Sequence, residues 1–94
     1  MTTRWVPREG PPPVWVDFNR GGRDVVYLDL PGTEADLRRL GIELSAGLVL
    51  NVWDQDGNHA GERDDLLATG VVERDPVRGA WLLRVTRWSH ESEE

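Results

Sequence analysis

Residues 53–65 read Trp-Asp-Gln-Asp-Gly-Asn-His-Ala-Gly-Glu-Arg-Asp-Asp, so Asp54, Asp56, Asn58, Glu62, Asp64 and Asp65 bring side-chain oxygens beside the imidazole of His59. The chemistry such spacing invites is hard-cation binding. Calcium loops of the helix–loop–helix type set oxygens at alternating positions around a central glycine and close on a bidentate glutamate. Counted from Asp54, the series runs Asp54, Asp56, Asn58, the Ala60 carbonyl, Glu62 and Asp65. His59 stands where the glycine belongs, however, and the closing residue is the shorter aspartate. The flanks alternate as strands do, and Asp-Gly-Asn is ordinary turn chemistry. The loop is therefore expected to be a solvated hairpin tip, with Asp54, Asp56, Asn58, Glu62 and Asp65 as the secondary, metal-ligating reading and calcium affinity millimolar or absent. His59 has neither a cysteine nor a second histidine near it in sequence, which argues against a transition metal.

Other reactive-looking groups fare less well. Ser89-His90-Glu91 has the composition of a catalytic triad, but strand neighbours point to opposite faces and cannot relay a proton. Asp17 and Asp29 are expected to approach each other on the outer face of a first hairpin, with no reason in the sequence for a raised pKa. Gly21-Gly22 lacks the remainder of any phosphate-binding loop. No catalytic residue and no cofactor are expected, and the chain reads as a non-enzyme.

The charged and aromatic residues carry a different message. All eleven basic residues are arginine, an imbalance that a GC-rich genome explains, and the net charge is −6. That balance disfavours general binding to nucleic acid. Five tryptophans are many for 94 residues, and Trp and Arg are enriched at protein interfaces. Thr3-Arg4-Trp5 and Thr86-Arg87-Trp88 repeat one triplet near the two ends, and Trp5 and Trp88 are expected to pack together or over one end of a barrel. Trp15, Tyr27, Arg20, Arg23, Arg84 and Trp88 form the expected binding surface, for an unidentified protein partner or for self-association. A nucleic-acid-associated barrel and a divalent-cation domain built on the 54–65 loop are the alternatives.

Period-two alternation predicts the elements that position these groups. Strands are expected over 14–18, 24–30, 48–54, 66–74 and 80–88, the first two paired as a hairpin through Asn19-Arg20-Gly21-Gly22-Arg23. Val14, Val16, Phe18, Val26, Leu28, Leu30, Leu48, Leu50, Val52, Leu83 and Val85 point inward, with Trp81 on their side. Gly70 in mid-strand signals a bulge or a close backbone approach. Between the second and third strands, Thr33 is expected to cap a short helix, with Asp36 reaching back to it and Gly41 stopping it.

The pattern predicts a mainly β fold, a five-stranded small barrel (SH3-like or OB-like) with one short helix between strands 2 and 3; a half-open sheet capped by the helix is the second choice. Residues 1–13 read as a Pro-rich arm, 14–88 as one domain and 89–94 as an acidic tail. No cysteine means no disulfide or thiolate site, and no apolar run is long enough for a membrane span. The N-terminus has no apolar signal core, so a cytoplasmic location is expected.

Residues 36–52, with their Leu40-Gly41-Ile42 helix stop, Gly47 and an alternating strand, resemble part of the ferrous-iron-transport A-type SH3-like domains. The chain is also similar to small bacterial SH3-like barrels of high-GC genomes. These likenesses imply an architecture and no activity.

Overall fold

The computed structural model describes residues 12–55, 61 and 65–90. In chain order the elements are β1 (Val14–Trp15), β2 (Gly21–Gly22), β3 (Val25–Tyr27), α1 (Pro31–Leu40), β4 (Val49–Asp54), β5 (Leu66–Arg74) and β6 (Trp81–His90). They form one mixed sheet in the order β1-β4-β5-β6-β3-β2. The fold is thus mainly β with one short helix, as expected. Among the described residues it has six strands rather than five, and the helix lies between β3 and β4 rather than between a second and a third strand.

The largest departure is at the start. β1 does not pair with the strand that follows; it runs parallel to β4, Val14 opposite Val52 and Trp15 opposite Trp53. The expected first strand ends early because Asp17 opens a turn. Its carboxylate accepts the Asn19 N–H at 2.9 Å and its carbonyl the Arg20 N–H at 2.9 Å. The hairpin that does form is β2–β3, Gly21 opposite Val26, with β3 next pairing to β6. Trp15 and Tyr27 therefore share no hairpin face.

Residues 16–20 carry the chain from one edge of the sheet to the other. Fully extended, the steps from Trp15 to Gly21 reach at most about 22 Å. A flat sheet of this width spans about 24 Å, and the turn at Asp17 shortens the available reach further. The sheet has to curl, and it does so into a half-barrel in place of the closed barrel expected.

The concave face holds the core. Val14, Val16, Val26, Leu28, Leu37, Leu50, Val52, Ala68, Val72, Leu83 and Val85 are buried together, with Phe18, Leu40, Ile42, Leu44, Leu48 and Trp81 packed at their margin. Each fully buried Leu or Val stabilises by roughly 1.5–3 kcal/mol over its exposed state. The inward alternation read from the sequence is observed except at Leu30, which serves as the helix N-cap and lies outside this cluster.

α1 begins two residues before the expected cap. Leu30 is the N-cap and Pro31 the first helical residue, where its missing N–H costs nothing and its fixed φ fits. Thr33 is instead buried, and its hydroxyl has no hydrogen-bond partner. Asp36 does not reach back to a cap either. It accepts the Trp15 backbone N–H at 2.9 Å, tying α1 to β1, and takes the Arg39 guanidinium at 2.7 Å. The stop at Gly41 is as expected: φ is 69°, and the Gly41 and Ile42 N–H groups return to the Arg38 and Leu37 carbonyls.

No helix among the described residues is long and apolar enough to cross a membrane.

Candidate functional site

Of the acidic loop, only its two ends and Gly61 are described. Asp54 uses both carboxylate oxygens on the chain, accepting the Phe18 N–H at 3.2 Å and the Gln55 N–H at 2.8 Å. Asp65 is buried rather than presented at a loop tip. Asp56, Asn58, His59, Glu62 and Asp64 lie outside the described residues, as does Trp5. Among the described residues no three His, Asp or Glu side chains converge to hold a metal ion. Ser89 and His90 belong to β6, opposite Leu67 and Leu66.

The six residues expected to form one surface divide among different places. Trp15 is half-buried at the β1 edge, its ring over α1, where a Cβ on Gly32 would come within 2.9 Å of Cζ3. Arg23 is exposed in the β2–β3 turn. Arg84 forms a two-pronged pair with Glu73, at 2.7 and 3.2 Å.

Arg20 and Tyr27 belong to a connected polar flank. Arg20 clasps Asp29 with two hydrogen bonds, at 2.8 and 3.0 Å. The Arg78 guanidinium lies 3.7 Å from the same carboxylate and 4.1 Å from the centroid of the Tyr27 ring. The Tyr27 hydroxyl donates to Asp75 at 2.9 Å, and Asp75 also accepts the Val77 and Arg78 backbone N–H groups. Asp17 and Asp29, expected to face each other, are thus each engaged elsewhere.

Protonation follows this wiring. The Arg20 hydrogen bond holds Asp29 below the usual carboxylate range, and Arg84 does the same for Glu73. Asp75 is lowered first by the Arg78 backbone N–H and then by the Tyr27 hydroxyl. A general acid near neutral pH needs the opposite shift.

Trp88 stands apart from all of these, and a bulge puts it there. Thr69 pairs with Arg87 but Gly70 with Val85, so Thr86 is the extra residue on β6. Gly70 permits the close approach, because a Cβ there would collide with the Arg84 carbonyl and come within 2.9 Å of Leu83 Cγ. Beyond the bulge, Trp88 falls opposite Ala68 of the core cluster, and so turns to the concave side. Without the extra residue, strict alternation from Val85 would send Arg87 inward and Trp88 outward.

Once there, the indole is fixed at two points. Its ring meets Phe18 with centroids 5.0 Å apart and planes at 59°, and its Nε1–H donates to Asp24 Oδ1 at 3.1 Å. Asp24 is the one described non-glycine residue with positive φ, at 57°, a conformation that aspartate tolerates better than most residues. Its carbonyl accepts the Val85 N–H at 2.7 Å, which holds the turn against β6. Trp88 nevertheless remains 42 % exposed. Phe18, Asp24 and Asp54 complete this arrangement; the sequence offered Asp54 only as a metal ligand and Phe18 only as an inward strand residue, and did not offer Asp24. Their signal is nonlocal, apart from Asp24, whose place after Gly21-Gly22-Arg23 suits a left-handed turn.

Compared with protein-family models, with curated proteins and with solved structures, the chain finds no significant match.

Proposed function

We propose that this chain is a non-enzymatic interaction module and that Trp88, with Phe18 beside it, is its contact point. The observation that carries the reading is that Trp88 is 42 % exposed although its ring and its N–H are both fixed by the fold. Large aromatic side chains held in place before contact lose little entropy on binding, and they dominate the energetics of protein interfaces. The carboxylates with shifted pKa values are all held ionised, which supports binding over acid–base catalysis. Arginines already engaged with Asp29, Asp36 and Glu73 give little support to the nucleic-acid alternative.

Affinity capture from a native extract, with wild type beside Trp88→Ala and a Trp15→Ala/Tyr27→Ala double variant, tests this. Partners lost only with Trp88→Ala support the reading. Capture that survives Trp88→Ala and fails with the double variant returns the contact to the surface first expected from sequence.

A further inference from the structure

Among the described residues, some carboxylates are paired with arginine and others are not. Asp29, Asp36 and Glu73 each hold an arginine within ion-pair distance, at 2.8, 2.7 and 2.7 Å. At Trp88 the situation differs. Asp24 accepts the indole N–H, and Asp54 accepts the backbone N–H groups of Phe18 and Gln55. Neither has an arginine within ion-pair distance among the described residues, although Arg23 is next to Asp24 in the chain. Their donors are neutral; Asp24 touches the exposed indole directly, and Asp54 is linked to it through Phe18, whose ring meets Trp88.

A π face with unmatched anions around it complements a cation. The indole quadrupole attracts an ammonium or guanidinium placed over the ring, and nearby carboxylates add Coulomb attraction. The net charge of −6 draws cationic partners toward the molecule from further away. We propose that this site receives a lysine or arginine side chain from a basic partner segment, its cationic head over Trp88 and its charge facing Asp24 and Asp54. The proposal rests on the binding-module reading and adds the chemistry of the partner.

The test uses the full chain, labelled with nitrogen-15, and the indole N–H resonance of Trp88, assigned with a Trp88→Phe variant. Three short unstructured peptides of equal length serve as probes, one carrying arginine and lysine, one leucine and one glutamate. The expected result is a saturable shift of the Trp88 signal with the basic peptide alone, weakened as salt rises. Asp24→Asn keeps an acceptor for the indole N–H but removes the charge, and it should weaken binding on the order of two- to fivefold. Equal or tighter binding of the leucine peptide overturns the cationic partner and leaves the binding module standing. No shift with any probe overturns both.

Discussion

The Tyr27 flank and the Trp88 site are built from the same residue types and treat them in opposite ways. On the flank, Arg20 and Arg78 face Asp29, Arg78 lies over the Tyr27 ring, and the Tyr27 hydroxyl donates to Asp75, so these groups are engaged with one another. At Trp88 the hydrogen-bond donors are neutral, the acceptors are anions, and the ring, on the concave side, stays 42 % exposed. A self-satisfied cluster stiffens a fold but offers a partner little, because binding would first have to break it. An arrangement that fixes its geometry while keeping its charge and its apolar face unspent is suited to recognition. Arginine and aromatic residues in the sequence are therefore a poor guide to the contact surface until their internal partners are known.

Changing Gly70 gives the largest expected effect. Gly70→Val forces a side chain into the Arg84 carbonyl and Leu83, and should cost about 3 kcal/mol or more in urea unfolding. In the folded fraction the Trp88 ring should lose its contact with Phe18, read from near-ultraviolet circular dichroism, while the Arg20–Asp29 clasp is little affected.

Acid separates the two regions next. Asp29, Glu73 and Asp75 have folded pKa values below their unfolded ones, so the stability they lend is fully present above the unfolded values of 3.8 for aspartate and 4.5 for glutamate. It is lost as pH falls through the lowered folded values. Thermal unfolding followed from pH 6 downward should show Tm level at first and then falling below about pH 4.5. An Asp29→Asn/Glu73→Gln/Asp75→Asn variant should show a flatter profile.

Tyr27→Phe removes one hydroxyl from the matched flank and should lower Tm by roughly 2–6 °C. Capture of a partner should be unchanged; if it is lost, the flank belongs to the contact surface after all. The smallest effect on folding is expected from Asp24→Asn, whose amide oxygen can still accept the indole N–H, with Tm shifted by less than about 2 °C. That variant changes charge at the Trp88 site alone and so sharpens the contrast most cleanly.

Local signals in the sequence proved readable, and nonlocal ones did not. Gly41 marks the helix end because the left-handed position is fixed by its own backbone, and Gly70 marks the bulge because crowding across one strand pair excludes a side chain. Inward alternation in β4, and in β6 as far as Val85, follows from hydrophobicity alone. The partner of β1 is a choice between distant strands, which alternation does not encode, and the pairing of 14–18 with 24–30 fails for that reason. The expected helix start at Thr33 fails, because the preference of Pro31 for the first helical position outweighs the capping tendency of Thr33. Trp88 was identified from residue type. Its concave orientation depends on a one-residue slip at Thr86, whose position on β6 no feature of that strand announces.

The span of residues 16–20 works as a belt around the half-barrel, and Phe18 is its buckle. Since the belt is only five residues long, its length bounds how far apart Phe18 and the Trp88 indole can move. Two or three glycines added there would let the sheet relax outward and loosen the grip on the indole, with no contact residue altered. The opening around Trp88 is in that sense written in a count of residues.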